Sequence, residues 1–293
     1  MDKSLKNILI KHGFSFKKAY GQNFLTDTTL LDEIVEKAGV TEQDTVLEIG
    51  CGAGALTYAL SKKAKRVVGY EIDQKLKPVL EETVGECKNV EIVFGDIMKQ
   101  KLTDVENKLG GPYIMVANLP YYITTPIIML FLENAKNIKA MVIMVQEEVA
   151  YRLSAKAGTS DYGAITVAIN LRGSAEVVLR VPREKFTPSP NVDSAVAKIV
   201  IENGKFVGAN LVKVRDAVRC GFSSRRKMFV NNIMNTYKIS RSEAENCLIN
   251  AGLSTTIRGE SLTAQDYVNL SEFLPERSNK NGWKAKDCFS KWQ

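Results

Sequence analysis

Two stretches of the chain combine residue types that can do chemistry with the spacing to do it. The first is "VLEIGCGAGALT", which sets Gly50, Gly52 and Gly54 between an apolar run and a helix-like run. Glycines there allow a tight turn and let a ligand lie against main-chain N–H groups. The spacing is GxGxG, not the GxGxxG suited to a dinucleotide pyrophosphate. Glu71 in "GYEID" follows 17 residues beyond Gly54, where a carboxylate can accept both hydroxyls of a ribose, and Asp96 in "FGDIM" comes at the end of the next apolar run. Three glycines and two acids at successive strand ends fit a nucleoside without a diphosphate. S-adenosylmethionine is the expected cofactor.

The second stretch is "NLPYYITTP", Asn118 to Pro126. Methyl transfer from a sulfonium to an amine needs in-line placement more than a strong base, because the donor is already activated. The exocyclic amine of adenine is a poor nucleophile, its lone pair being delocalised into the ring. Carbonyl oxygens from the Asn118 side chain and the Leu119 backbone can accept its N–H hydrogens and stabilise positive charge developing on nitrogen. Pro120 fixes the turn, and Tyr121 can stack on a base that has left its helix.

These residues need a scaffold that brings strand ends together. From Thr45 the chain alternates apolar runs with helix-length segments: "TVLEI", "ALTYALSKKA", "RVVGYEI", "QKLKPVLEETVG", "VEIVFGD", "PYIMVANL", "TPIIMLFLENA" and "AMVIMVQ". Strands apolar along their whole length, spaced in this way, read as βαβ units feeding a parallel sheet covered on both faces. The expected fold class is therefore α/β, a doubly wound Rossmann-like sheet. After Gly173 two further strands, "AEVVLRVP" and "SAVAKIVI", are joined by a connection too short for a parallel crossover with its own helix, so the sheet should end antiparallel. From about Phe206 only helical patterns remain. Ser240 and Glu243 fit an N-terminal capping box, and Gly252 suits a helix stop. The expected division is 1–204 for the sheet domain, 205–275 for a small all-α domain and 276–293 for a flexible tail, whose Trp283 and Trp292 have no assigned role. There are no internal repeats.

A chain of 293 residues, 45% of them hydrophobic, can bury a substantial core, which rules out a disordered or fibrous protein. The formal charge of +7 favours a polyanionic partner. The five cysteines, Cys51, Cys87, Cys220, Cys247 and Cys288, are odd in number and show no CxxC pair, which argues against a disulfide framework and a metal site and for a reducing cytoplasm. The apolar run near the N-terminus is too short for a signal peptide, and no run approaches the ~20 residues that span a bilayer. A protein without membrane contact is expected.

The set "GQNFL" (Gly21 to Leu25), "EIGCGAGALT", "EID", "GD", "NLPYYITTPI", "SDYGAITV" and "FTPSPNVDSAV" resembles the small-subunit ribosomal RNA adenine dimethyltransferases. That family shares an ancestor with the erythromycin-resistance methyltransferases and the mitochondrial transcription factor B proteins. The match runs in order from about Tyr20 to Leu270. It implies a class I methyltransferase sheet that takes S-adenosylmethionine at Asn23, Leu25, Gly50, Glu71, Asp96 and Asn118. It also implies Phe186, in the stiff "FTPSPNV" loop, on the far side of the target base from Tyr121. The implied reaction is N6-dimethylation of two adjacent adenines in the 3′-terminal loop of small-subunit rRNA during ribosome biogenesis, by a monomer. One departure is Cys51, where the family commonly has proline; it reads as structural.

Basic residues cluster at Lys62 to Arg66, in "FKKAYGQ" and in "RCGFSSRRK". Arg225, Arg226 and Lys227 are expected in the first turn of a helix, where the macrodipole disfavours positive charge. With Arg219 they are the expected phosphate contacts, which raise affinity without choosing sequence. His12 is expected on the surface of the first helix, without a role. Two other readings stand beside the leading one. A resistance-type enzyme would act on large-subunit rRNA, and a non-catalytic nucleic-acid-binding factor would keep the fold for assembly or transcription without turnover.

Overall fold

A computed structural model of the chain describes residues 3–13, 24–25 and 27–276. Asn23, most of "GQNFL", Cys288 and the tail tryptophans Trp283 and Trp292 lie outside the described residues. Among the described residues the chain forms two compact units. One comprises the chain up to Ala150 together with Ala175–Ile201; the other comprises Tyr151–Ser174 together with the chain from Glu202 onward. The chain passes for the last time from the first unit to the second between Ile201 and Glu202. Tyr151–Ser174, however, packs with the helices and not with the sheet.

The first unit opens with helix α1 (Lys3–Lys11), the two-residue strand β1 (Phe24–Leu25) and α2 (Thr28–Ala38), capped by the Asp27 side chain. The alternation then runs β2 (Thr45–Ile49), α3 (Ala55–Ser61), β3 (Arg66–Glu71), α4 (Lys77–Val84), β4 (Val90–Phe94), α5 (Leu102–Leu109), β5 (Tyr113–Asn118), α6 (Thr124–Asn134) and β6 (Ile138–Gln146). Next come α7 (Glu147–Leu153), α8 (Ala164–Asn170), β7 (Gly173–Val181), the short strand β8 (Phe186–Thr187) and β9 (Ser194–Ile201).

Seven strands form one sheet in the order β4-β3-β2-β5-β6-β9-β7. The pairs β2–β3, β3–β4, β2–β5 and β5–β6 are parallel, and β9 runs antiparallel to β6. The antiparallel end of the sheet is thus as expected. Strand order reverses between β2 and β5, and in an open parallel sheet a ligand crevice forms outside the strand ends at such a point. Burial explains why these strands are apolar throughout: Val46, Leu47, Val67, Val68, Met115 and Val116 are at most 1% exposed. The two short strands make a separate ribbon, in which Leu25 pairs with Phe186 and Phe24 with Thr187. Lys185 Nζ reaches Asp27 Oδ2 at 2.5 Å beside that ribbon.

The second unit adds α9 (Leu211–Phe222), α10 (Phe229–Tyr237), α11 (Arg241–Asn250) and α12 (Ala264–Phe273) to α8. Its core holds Tyr162, Val167, Val218, Phe229, Leu248 and Tyr267. Buried tyrosines need partners for their hydroxyls. Tyr162 donates to the Leu262 carbonyl at 2.9 Å and Tyr267 to that of Gly259 at 2.8 Å. Ser240 and Glu243 form the expected capping box on α11, and Gly252 takes φ +74° just past its end.

Candidate active site at the strand reversal

The pocket at the reversal is built from the ends of β2, β3 and β5, roofed by the β1–β8 ribbon. Its wall includes Phe24, Leu25, Gly50, Cys51, Gly52, Glu71, Asn118, Leu119, Pro120, Tyr121 and Phe186. Most of the residues expected to act together therefore do share one cavity. Gly50 and Gly52 have φ of +80° and +54°, in the left-handed region that favours glycine. A Cβ on Gly52 would come within 2.9 Å of the Phe24 ring, and one on Gly50 within 3.2 Å of the Asn118 carbonyl oxygen. The loop thus lies against both the ribbon and the end of β5, with no room for a side chain on either contact.

Glu71 ends β3 and is buried. The Gly52 N–H donates to its Oε2 and the Asp73 N–H to its Oε1, each at 2.8 Å. Burial nevertheless outweighs these bonds and pushes its carboxyl above the usual range. Each oxygen keeps a second lone pair for a ligand hydroxyl. The lining fits a nucleoside: a carboxylate at a strand end beside a glycine loop that carries no side chain at Gly50 or Gly52, with apolar walls.

Asn118 is the last residue of β5, and Leu119 behind it is buried. Pro120 then turns the chain with φ −55° and ψ 132°. Tyr121 lies within 2.9 Å of the buried Ser194 hydroxyl on β9, either group being able to donate. Burial raises its phenol above the ordinary value and the Ser194 bond opposes that only in part, so the ring is neutral. Tyr122, by contrast, is 63% exposed. Phe186 is 5% exposed on the same pocket wall, placed by its pairing with Leu25.

Two expected cofactor residues stand apart from this wall. Gly54, at φ +85°, precedes α3 and packs against Leu80 and Thr83 of α4. Asp96 caps the turn after β4 by accepting the Met98 N–H at 2.9 Å, and Lys99 lies 3.8 Å away. Several apolar pocket residues were not among the expected site residues, Phe24, Leu31, Leu56, Ile72 and Met144 among them. Ile72 carried a signal, an apolar residue directly after the strand-end acid, and it is 50% exposed.

Below the loop lies a second carboxyl. Glu48 is fully buried on β2, between Gly69 of β3 and Val116 of β5 in register. Neither of its oxygens has a hydrogen-bond partner among the described residues. Burial, reinforced by the charge of Glu71, pushes it up to about 8. The Thr57 hydroxyl and the Cys51 thiol pull the other way, yet neither closes a hydrogen bond. Burial and the two carboxyls raise the Cys51 thiol as well, which fits the inert structural role expected of it.

The expected RNA contacts need one correction. Arg225, Arg226 and Lys227 occupy the turn between α9 and α10, not the first turn of a helix, because α10 starts only at Phe229. The macrodipole argument for them therefore falls. Arg225 is held by Glu260 at 3.0 Å and donates to the Ser160 carbonyl at 2.8 Å. Arg219 lies 3.8 Å from Asp216 on its own helix. Arg226 and Lys227 are exposed, with no ion pair among the described residues. His12 sits in the turn after α1 and meets Glu82 at 2.7 Å. Among the described residues no cluster suits a metal ion, and no helix is long and apolar enough to cross a membrane.

A family model described as ribosomal RNA adenine dimethylase matches residues 13–275. The chain belongs to the ribosomal RNA adenine dimethylase family. Within it, the chain is 44% identical to ribosomal RNA small subunit methyltransferase A of Anoxybacillus flavithermus, over 92% of this chain and 94% of that protein. It is 42% identical to the protein of that name from Bacillus licheniformis, over 92% and 95%. Among solved structures, a dimethyladenosine transferase from Plasmodium falciparum matches with a TM-score of 0.70 at 27% identity, covering 84% of this chain and 95% of that one. The 23S rRNA methyltransferase ErmE matches with a TM-score of 0.67 at 28% identity, covering 86% and 99%. This dimethylase therefore has the methyltransferase sheet that its sequence implied.

Proposed function

We propose that the protein takes S-adenosylmethionine in the pocket at the strand reversal and dimethylates N6 of two adjacent adenines in the 3′-terminal loop of small-subunit rRNA. The observation that carries this reading is the meeting of Asn118, Leu119, Pro120 and Tyr121 with Gly50, Gly52 and Glu71 in one cavity. Bound there, the cofactor supplies an activated methyl group on a positively charged sulfur. Glu71 would hold ribose hydroxyls, with Leu25 against the nucleoside. The Gly50–Gly52 backbone, whose glycine N–H groups are engaged by the Tyr70 carbonyl and by Glu71, would let the donor's tail lie close with no side chain at either glycine in the way. The Asn118 side chain and the Leu119 carbonyl accept the N6 hydrogens, turning the nitrogen lone pair toward the methyl group. Tyr121 and Phe186, both on the wall, hold the flipped base between them. Asn23, and Asp96 from its turn beside the pocket wall, would complete the cofactor site. The N6 nitrogen, once methylated, gives up its proton to water, so no strong base is required of the chain.

Arg219, Arg226 and Lys227 contact rRNA phosphates, while Arg225, held by Glu260 and the Ser160 carbonyl, orders the turn that presents the last two. The protein acts as a monomer in the cytoplasm on immature small subunits. The test is incubation with S-adenosylmethionine and either unmethylated small subunits or naked large-subunit RNA, with dimethyladenosine measured by nucleoside mass spectrometry. Product on the small subunit alone is expected. Product on large-subunit RNA alone would move the protein to the resistance branch, and cofactor binding without product on either would make it a binding factor.

A further inference from the structure

Among the described residues, Glu48 is a buried acid beneath the glycine loop that the proposed reaction leaves without work and that has no hydrogen-bond partner. An acid with no partner is costly to keep ionised inside a protein, and its persistence calls for an explanation. Its surroundings are unusual for a core position. On β3, opposite it, stands Gly69, where a Cβ would collide with the Cys51 sulfur and lie 3.9 Å from Glu48 Oε2. The missing side chain makes room for the thiol and the carboxyl together. The thiol belongs to a pocket-lining residue, so Glu48 is separated from the pocket by one layer of loop.

The titratable groups that act on Glu48 are Glu71 at the end of β3 and Cys51 in the loop. Thr57 of α3 adds a hydroxyl, and no cation acts on it among the described residues. A group in this position answers to any positive charge brought into the pocket, because little solvent screens the interaction. The proposed donor carries such a charge on sulfur. The spent product, a neutral thioether, does not.

We infer that Glu48 reads the charge of the bound nucleoside: it is protonated in the free protein and with the spent product, and it ionises when the sulfonium donor is seated. This inference rests on the reading that the pocket takes a sulfonium nucleoside. Its consequence is discrimination. Donor and product share their ribose, adenine and amino-acid parts, so contacts with those parts hold both alike. The ionised Glu48 favours the donor only, and loss of the methyl group removes that preference at the moment the product must leave.

The experiment is titration calorimetry of S-adenosylmethionine and S-adenosylhomocysteine on the full chain, from pH 6 to pH 9, in buffers of different ionisation enthalpy. Wild type and Glu48→Gln are compared. In wild type the donor-to-product affinity ratio should rise about tenfold between pH 6 and pH 8, with a proton released on donor binding and none on product binding. Glu48→Gln should give a ratio that is flatter by that factor. Equal slopes in the two proteins would assign the effect to the ligands' own groups and overturn the inference. Failure of both ligands to bind would instead defeat the cofactor reading itself.

Should the variant not fold, carboxyl infrared spectroscopy of wild type labelled with ¹³C-glutamate decides the matter. A protonated-carboxyl band that disappears with donor and persists with product is expected. A band unchanged by the donor, or absent from the free protein at pH 7, overturns the inference.

Discussion

Replacing Glu48 by Gln should change how the stability of the fold depends on pH. In the unfolded chain its carboxyl titrates near the ordinary value of 4.5, and in the folded protein at about 8. Between those values the folded state holds a proton that the unfolded state has released, so stability falls as pH rises. The slope is about 1.4 kcal/mol per pH unit. Near the ordinary value it is only half developed, so between pH 5 and pH 7 wild type should lose about 2 to 3 kcal/mol relative to a side chain that does not titrate. Gln has nearly the same size and shape. Its amide, buried without partners, adds a penalty of about 1–3 kcal/mol that is the same at every pH. The expected result is a wild type that compares best with the variant at pH 5 and loses that advantage by pH 7 to 8. Urea unfolding followed by circular dichroism at pH 5, 6, 7 and 8 measures it, with tryptophan-independent far-ultraviolet signal as the probe. Stability curves that stay parallel across this range would refute the reasoning, since they would mean that Glu48 has an ordinary carboxyl in the folded state.

Asn118→Ala should leave the melting temperature within a few degrees and abolish dimethyladenosine formation, because the residue is only half-buried but supplies the acceptor for the N6 hydrogens; turnover that survives would sink its assigned role. Glu71→Ala should weaken S-adenosylmethionine binding about a hundredfold, from the loss of roughly 3 kcal/mol of charge-assisted hydrogen bonding to the ribose, and unchanged affinity by calorimetry would remove that assignment. Tyr121→Phe keeps the ring and loses only the Ser194 hydrogen bond, so it should retain most activity, whereas Tyr121→Ala should lose nearly all of it; equal losses in a methylation assay would show that the hydroxyl and not the stacking face matters. Arg226→Ala combined with Lys227→Ala should reduce the dependence of rRNA affinity on log salt by about 1 to 2, as read from filter binding at several salt concentrations, and an unaltered slope would place the phosphate contacts elsewhere.

The sheet was legible because burial on both faces writes itself as uninterrupted apolar runs, and β2, β3, β5 and β6 all announced themselves in that way. The site was legible where function needs rare residue types: glycines at positive φ, a carboxylate at a strand end, and an amide before proline. Other features left no local mark. The β1–β8 ribbon consists of two residues on each side, too few for any periodicity to show. α8, "AITVAIN", is rich in β-branched residues that favour strands, and tertiary packing of Ile165, Val167 and Ile169 overrides that preference. The residue that leads into it, Tyr162, is tied to the helical unit by its hydrogen bond to Leu262, a hundred residues away. The turn at Arg225 to Lys227 was misplaced for a related reason. "SRRKMF" could start a helix, but Met228 takes extended geometry, and the Phe229 N–H donates to the Ile257 carbonyl, a remote partner.

The ribbon that joins Leu25 to Phe186 also dictates when the pocket comes into being. Its two strands lie at opposite ends of the first unit's sequence, so as the chain emerges from the ribosome the loop of glycines and the turn at Asn118 are made long before their roof. Until Phe186 and Thr187 have been synthesised and laid against Leu25 and Phe24, the wall on that side is incomplete. A nascent or truncated chain can therefore hold a nearly complete parallel sheet and still be unable to enclose a substrate, which makes competence for methylation a property acquired in the closing stage of synthesis.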